Sequence, residues 1–259
     1  MINPAILNTV DRRDLIIRLI KENGKVQVEE LSTQFKVSSV TIRNDLNYLE
    51  KKGLIDRVYG GALARVAVAY DSALTEKAKL HVDEKRRVGA KAAEMIYDGD
   101  SIILDSGTTT LEIAKRIKDR LDLTVMTNGV NIATELAGNP HVSVLLTGGR
   151  LRENSFSLVG PQAETTLKDF YFDKLFLGVD GFDLEVGLTT PNQLEAHLNA
   201  IMLSASKEVI MVTDSSKFGH QSLCRISGPE KVTRIITDSG ISQEYLDSFR
   251  DLGIEIIVV

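Results

Sequence analysis

The sequence has a single cysteine, no tryptophan and only five prolines in 259 residues. Because Cys224 has no partner within the chain, no intrachain disulfide is possible, and we expect a reducing, cytoplasmic location. The four histidines are scattered, and with a single cysteine they give none of the usual zinc-binding spacings. We therefore expect neither a metal ion nor another cofactor.

Long apolar runs are also missing, so no segment is predicted to span a membrane. The first residues, Met1 to Pro4, lack the basic and apolar regions of a signal peptide, and none is expected. Neither G-x-G-x-x-G nor G-x-x-x-x-G-K-[ST] occurs, which argues against binding of dinucleotides or nucleoside triphosphates.

Charge is distributed unevenly, although the net charge is only −5. Residues 1–61 contain ten Lys/Arg and eight Asp/Glu, whereas residues 62–259 contain 21 and 28. An acidic body opposes non-specific adsorption to nucleic acid, and a small basic module supplies the attraction. Length and a hydrophobic content of 43% fit two globular domains, one of them large.

The first 51 residues predict three short helices. Their apolar stripes consist of Ile16, Leu19 and Ile20, then Val28, Leu31 and Phe35, then Ile42, Leu46 and Leu49. Asn23-Gly24 is a typical end for the first helix, and Ser38 is a good N-cap for the third. Three short helices with a tight connection before the third indicate a helix-turn-helix.

The outward face of the third helix has the chemistry of base recognition. Arg43 can pair with guanine, Asn44 with adenine, and Val40 can contact a thymine methyl group. The predicted DNA-binding residues are Ser38, Ser39, Val40, Thr41, Arg43, Asn44, Asn47, Lys51, Arg57 and Tyr59. The alternative is a helical module that binds protein and exposes a merely solvated polar face.

A β-hairpin is predicted directly after the third helix. The alternation of Ile55, Arg57 and Tyr59 indicates a strand, Gly60-Gly61 a positive-φ turn, and residues 63–66 a returning strand. Arg57 is then placed to touch phosphate or enter a minor groove.

Residues 67–83 are polar and mixed and are predicted to form a linker that runs into a helix. Beyond them, short runs rich in β-branched residues alternate with helix-length segments. The runs are 101–104, 124–126, 142–146, 175–177, 209–212, 235–236 and 254–259. This alternation predicts a largely parallel α/β sheet with helices on both faces.

Polar residues follow these strands, at the edge where open α/β sheets bind ligands. The segment Asp105-Ser106-Gly107-Thr108-Thr109-Thr110 joins a strand to a helix, and its N–H groups and hydroxyls can hold a phosphate. Plain helix capping by Ser and Thr is the alternative. Gly148 to Arg152 form a basic loop that can close over an anion, or a surface turn with solvated arginines.

Further polar residues at the same edge can accept hydrogen bonds from sugar hydroxyls or meet an anion, although helix caps and solvated strand ends explain them equally well. The predicted ligand-binding residues are Asp105, Ser106, Gly107, Thr108, Thr109, Thr110, Asn128, Gly149, Arg150, Asp180, Glu195, Asp214 and Lys217.

Together these motifs resemble the DeoR family of bacterial transcriptional regulators over nearly the whole chain. The matching segments are Val37-Ser38, Thr41 to Leu46, Gly53, Arg57 to Gly61, Asp105 to Thr109, Thr127-Asn128, Gly148-Gly149, Gly178 to Gly181 and Asp214 to Phe218. Residues 26–28 and 40–46 are similar to the branch of the family that represses N-acetylgalactosamine utilisation.

The resemblance implies a winged helix-turn-helix over residues 1–66, a linker over 67–83, and a Rossmann-like, mainly parallel α/β sensor domain over 84–259. That sensor is similar in fold to ribose-5-phosphate isomerase. The implied protein is a homo-oligomeric repressor of a sugar or amino-sugar operon, released from double-stranded operator DNA by a phosphorylated sugar.

Two other functions remain open at this point. A sugar-phosphate isomerase or deaminase fused to a DNA-binding head would need an acid/base set, and no complete set is identifiable, so we expect no enzyme. A DNA architectural protein that ignores metabolites would leave the polar strand-end edge without a role.

Overall fold

A computed structural model of the chain describes residues 9–52, 54–58, 60–64 and 71–259. The chain divides into two compact units, residues 1–67 and residues 68–259.

The described part of the N-terminal unit contains the three predicted helices and the predicted hairpin. Its elements are α1 (Thr9–Asn23), β1 (Lys25–Gln27), α2 (Val28–Phe35), α3 (Ser39–Lys51), β2 (Ile55–Val58) and β3 (Gly61–Ala64). The strands form an antiparallel sheet in the order β1-β3-β2. Strand β1 was not predicted, because three residues between two helices give too short a pattern to recognise.

The predicted apolar stripes form the core of this unit. Ile16, Leu31, Ile42 and Leu46 are almost completely buried, and each such side chain contributes about 1.5–3 kcal/mol. Gly24 adopts φ +71°, as predicted for the residue that ends α1. The direction of α3 is therefore set by packing against both preceding helices.

The hairpin differs from the prediction at its glycines. Val58 pairs with Gly61, so Gly61 already belongs to β3. Of the two glycines, Gly60 lies in the turn, with φ +78°. A Cβ on Gly61 would lie 2.1 Å from the carbonyl oxygen of Val26, so glycine is required there for β1 to approach. The returning strand consequently starts at residue 61 instead of 63 and ends at Ala64, while residues 65–66 lie outside the described residues.

All seven predicted strands of the C-terminal unit are confirmed, and they form one parallel sheet. They are β4 (Ser101–Leu104), β5 (Leu123–Thr127), β6 (Val142–Leu146), β9 (Phe172–Leu177), β12 (Ser206–Val212), β14 (Arg234–Thr237) and β15 (Glu255–Val258).

The strand order of this sheet is β15-β14-β12-β9-β4-β5-β6. The chain therefore builds outward in one direction from β4 and in the other direction from β9. In an open parallel sheet the crevice outside the carboxyl ends at such a reversal is the usual ligand site. Here that crevice lies beyond Leu104 and Leu177.

Helices cover both faces of the sheet, as predicted. One core contains Ile102, Leu104 and Phe176 and packs against α5 (Val82–Ala93), α6 (Thr108–Ala114) and α7 (Val130–Leu136). The other contains Ile103 and Leu175 and packs against α8 (Pro161–Lys168), α9 (Gln193–Ser204) and α10 (Gln243–Asp251). Successive residues of a strand point to opposite faces, so each run serves both cores.

Shorter elements surround the sheet. They are α4 (Leu74–Lys77), the hairpin β7 (Arg150–Arg152) and β8 (Ser157–Val159), and the antiparallel sheet β10 (Gly181–Asp183), β11 (Gly187–Thr190) and β13 (Cys224–Ser227). Helix α4 lies within the predicted linker. The described part of that linker thus contains a helix, and α5 begins at Val82, one residue before the predicted end of the linker.

Candidate functional site

The exposed face of α3 consists of the predicted side chains. Ser38 caps the helix, because its Oγ accepts a hydrogen bond of 3.1 Å from the Thr41 backbone N–H. Ser39 and Thr41 are half-buried on the first turn. Exposed along the helix are Val40, Arg43, Asn44, Asn47 and Lys51.

A buried carboxylate fixes α3 from its inner side. Asp45 is 2% exposed and accepts hydrogen bonds of 2.7 Å from Nε of both Arg12 and Arg13 on α1. This residue was not predicted as a site residue. Its position one residue before buried Leu46 was the available signal, since a charge on the inner face of a helix requires a partner.

Arg57 connects the hairpin to α3. Its Nη1 donates hydrogen bonds to Oδ1 of Asn47, at 2.9 Å, and to the carbonyl oxygen of Arg43, at 3.3 Å. Within the described unit the guanidinium of Arg57 therefore lies against α3. Its contact with DNA stays a prediction. Tyr59, predicted beside it, lies outside the described residues.

The second site is a cavity at the carboxyl ends of β4, β9 and β12, on both sides of the strand reversal. We name it the strand-end cavity. Its lining residues are Leu74, Lys77, Leu80, His81, Lys85, residues 105–110, Ser155, Gly178, Val179, Asp180, Thr190, Glu195, Val212, Thr213, Asp214 and Lys217.

One wall of the strand-end cavity is formed by residues 105–110, which comprise the loop after β4 and the first turn of α6 and are called loop 105–110. Its binding of a phosphate stays a prediction. The Ser106 backbone N–H donates a hydrogen bond of 2.8 Å to Oδ1 of Asn128, which fixes the course of the loop. Thr110 is fully buried, and its hydroxyl has no hydrogen-bond partner among the described residues. A polar atom of this kind calls for a partner, and an oxygen of a bound anion can be one.

Carboxyl groups also line this cavity. Burial raises the pKa of Asp105 well above its ordinary value, and the nearby carboxyls of Glu195 and Asp180 raise this pKa further. Glu195 is itself held by Oγ of Ser157, at 2.6 Å, and by Nη1 of Arg152, at 2.5 Å. A protonated Asp105 can donate a hydrogen bond to a ligand oxygen, while Asp180 and Glu195 can accept bonds from hydroxyls.

The structure brings together most of the predicted ligand-binding residues and leaves three outside the lining. Asn128 lies behind the loop and positions it. Gly149 directly precedes β7 and Arg150 is its first residue, and neither lines the cavity. A Cβ on Gly149 would meet the Val159 carbonyl oxygen at 2.6 Å. That glycine is therefore explained by close packing of the β7–β8 hairpin.

Sequence reasoning missed the cavity wall formed by residues 74–85. It includes the ammonium groups of Lys77 and Lys85, which precede the first strand of the sheet. Lysines in a polar, helical stretch give no local signal that distinguishes a site from a solvated surface.

Among the described residues, no group of three or more His, Cys, Asp and Glu side chains is arranged to hold a metal ion. None of the helices in the described ranges is both long enough and apolar enough to cross a membrane.

Comparison with known proteins matches both units. Residues 12–66 match the DeoR-like helix-turn-helix domain and residues 80–239 the DeoR C-terminal sensor domain. A putative aga operon transcriptional repressor of Escherichia coli O157:H7 is 44% identical over 98% of this chain and 95% of its own length. The transcriptional regulator GlpR of Haloferax volcanii is 34% identical over 95% and 96%.

Among solved structures, ribose 5-phosphate isomerase from Plasmodium falciparum is similar, with a TM-score of 0.38 and 17% identity over 52% of each chain. A likeness this low carries no functional argument. The two relatives are named as transcriptional regulators and match this chain almost end to end. The chain belongs to the DeoR family of transcriptional regulators.

Proposed function

We propose that this protein represses a sugar or amino-sugar operon and leaves its operator when a phosphorylated sugar binds the strand-end cavity. In this proposal residues 1–66 bind DNA and residues 84–259 sense the effector. Residues 67–83 connect the two and add Lys77 to the cavity. A cytoplasmic homo-oligomer presents α3 of each copy to one half-site of a repeated operator.

The exposed face of α3 supports the DNA-binding role. Arg43 and Asn44 are adjacent, exposed and of the residue types that pair with guanine and adenine in a major groove. Ser39, Thr41 and Lys51 lie at the two ends of that face, where they would contact phosphates. A helix fixed on its inner side by Asp45 presents these groups with little loss of conformational entropy on binding.

The strand-end cavity supports the effector role, and it is the observation that carries the proposal. Lys77, Lys85 and Lys217 supply positive charge, and loop 105–110 supplies hydroxyls and backbone N–H groups. Asp105, Asp180 and Glu195 line the same cavity and suit the hydroxyls or the amino group of a sugar. A ligand with an anionic end and a polyhydroxylated end satisfies both sets of groups.

The name of one relative supports the choice of effectors to test. The name of the Escherichia coli relative refers to the aga operon, and we infer that an amino-sugar phosphate belongs in the first set of effectors to be tested.

Fluorescence anisotropy tests the two halves of the proposal in one experiment. Labelled DNA from upstream of the gene's own operon is compared with scrambled DNA at fixed salt, and N-acetylgalactosamine 6-phosphate, glucosamine 6-phosphate and ribose 5-phosphate are titrated in. We expect preferential binding of the upstream DNA and its release by one sugar phosphate. Equal affinity for both DNAs across the whole upstream region would contradict the assignment.

Arg43→Ala sharpens the test of the recognition helix. We expect it to weaken binding to the upstream DNA by about 1–3 kcal/mol and to reduce the preference over scrambled DNA. Arg18→Ala is the matched control, because it removes the same charge from an exposed position on α1. If the two variants changed the preference equally, α3 would not be the element that reads bases.

A further inference from the structure

Residues 71–81 lie across the strand-end cavity, and we name this segment the strap. The Leu74 backbone N–H donates a hydrogen bond of 2.7 Å to the carbonyl oxygen of Asn154, and Nδ2 of Asn154 donates one of 2.6 Å to the carbonyl oxygen of Asp71. The side chain of Asp71 forms an ion pair with Arg152. The start of the strap is thus held by the turn between β7 and β8.

The middle of the strap closes over the cavity through an ion pair. Nζ of Lys77 lies 2.5 Å from Oδ1 of Asp180, which follows β9. The other oxygen of Asp180 accepts a hydrogen bond of 3.1 Å from the Thr190 hydroxyl. The side chains of Lys77 and Asp180 remain 25% and 21% exposed, so a ligand in the cavity can reach both.

Lys85 holds the end of the strap. Its ammonium group donates hydrogen bonds of 2.6 Å to the carbonyl oxygens of Lys77 and Leu80, which fixes the turn between α4 and α5. Burial lowers the pKa of Lys85, Asp214 opposes this, and the ammonium groups of Lys217 and Lys77 lower it further. Three positive groups are therefore close enough to interact, and Asp180 neutralises one of them.

We propose that the strap is part of the effector site and that Lys77 exchanges Asp180 for the anionic group of the effector when the effector binds. The inference rests on the proposed function of the cavity. It makes Lys77 the group that takes the anion and Asp180 the carboxylate that competes with the anion for Lys77.

The exchange follows from the groups available. An anion entering the cavity meets Lys77, Lys85 and Lys217, but Lys85 already donates to two carbonyl oxygens. Lys77 has one carboxylate partner that a sugar hydroxyl can replace, since a hydroxyl donates a hydrogen bond to Asp180 as Lys77 does. Effector binding then leaves both Lys77 and Asp180 with partners.

The strap also gives the cavity a covalent route to the DNA-binding unit. It begins at residue 71, and the last described strand of that unit, β3, ends at Ala64. A ligand that replaces Asp180 as the partner of Lys77 alters the contacts of the strap, and the chain is continuous from the strap to the DNA-binding unit. Coupling of this kind requires different effector affinities in the two states of the strap.

Calorimetric titration of the full chain with inorganic phosphate and with glucosamine 6-phosphate, at fixed ionic strength, tests the exchange. Lys77→Gln should weaken binding of both probes by about tenfold or more, because a charge-assisted hydrogen bond is lost. Lys77→Arg should retain most of the affinity. Lys79→Gln is the matched control, since Lys79 is exposed on the same segment and lies outside the cavity lining.

Asp180→Asn separates exchange from a merely structural role. It removes the carboxylate that competes for Lys77, so inorganic phosphate should bind several-fold more tightly. If Asp180→Asn and Lys77→Gln both weakened phosphate binding, the ion pair would only maintain the shape of the cavity and the proposal would be wrong.

Two further outcomes distinguish this inference from the proposed function. Lys77→Gln with wild-type affinity for glucosamine 6-phosphate would overturn the role of the strap and leave the effector site standing. A wild-type chain that binds neither probe nor any other sugar phosphate would overturn the effector site itself, and the strap proposal with it.

Discussion

The ion pairs beneath the recognition helix lead to a prediction for Asp45→Asn. Asp45 is the shared partner of Arg12 and Arg13, and each Nε lies 2.7 Å from one of its oxygens. Asparagine has nearly the same shape but no charge. The substitution therefore leaves two guanidinium groups against an amide without creating a cavity.

The expected cost follows from how far each arginine can reach water. Removal of one partner from a buried ion pair costs about 3–5 kcal/mol. The side chain of Arg12 is 8% exposed and cannot be rehydrated in place. Arg13 is 23% exposed and stacks on the ring of Tyr48, 3.8 Å from its centroid, so it retains part of its environment. We expect a loss at the lower end, about 3 kcal/mol.

A loss of this size matters for a unit of about 60 residues, whose core supplies only about 3–5 kcal/mol of net stability. Hydrogen exchange of the full-length protein, read by mass spectrometry, measures the loss locally. Protection of the α3 amides, such as that of Leu46, should fall about a hundredfold, since 1.4 kcal/mol corresponds to a factor of ten. Amides in β4 of the sensor unit should be unaffected.

Asp14→Asn is the matched control, because Asp14 is an exposed carboxylate on α1. Asp45→Asn should also reduce affinity for the upstream DNA, whereas the control should leave protection of α3 unchanged. If α3 were equally protected in the two variants, the shared carboxylate would not stabilise the recognition helix and the reasoning from burial would be refuted.

Three further predictions concern single side chains. Arg12→Ala should reduce α3 protection more than Arg13→Ala, because only Arg12 is buried, and equal losses would contradict this order. Thr108→Asp should abolish release from DNA by a sugar phosphate while the fold persists, because an acidic residue suits the first turn of α6 but repels phosphate. The control in the anisotropy assay is Thr165→Asp, which places the same residue at an exposed site. Asp105→Asn should stabilise the protein relative to wild type, and increasingly so as the pH rises above the ordinary pKa of aspartate. The pKa of Asp105 is raised in the folded state, so the free energy of unfolding of wild type falls by up to about 1.4 kcal/mol per pH unit until the pH reaches that folded-state pKa. Urea unfolding from pH 4 to 8 should show this slope in wild type only.

The parallel sheet was predictable because its strands are buried on both faces. Each run, such as 101–104 or 209–212, is short, rich in β-branched residues and separated from the next by a helix-length segment. The hairpin was predictable in kind but not in register. Gly61 was assigned to the turn, whereas close approach of β1 places it in a strand, and only the position of Val26 reveals this.

The candidate sites were predictable where local chemistry defines them. Ser38 caps α3 through a bond to Thr41, three residues away, and loop 105–110 is recognisable from its own hydroxyls. The basic segment Gly148 to Arg152 was predicted to close over an anion in the same way, but none of its residues lines the cavity. Composition identifies groups that can bind an anion, and it does not tell which of them face the same space.

The sequence by itself therefore determined the class of each domain, the strands of the parallel sheet and the exposed face of α3, because helix caps and the periods of helices and strands are short-range. Only the tertiary structure decided which charged groups meet. Asp45 and Arg12 are 33 residues apart, and Lys77 and Asp180 are 103 apart. Which side chains form these pairs depends on the order in which the strands and helices pack. The strap, with Lys77 turned towards the strand-end cavity, is the clearest consequence of that packing.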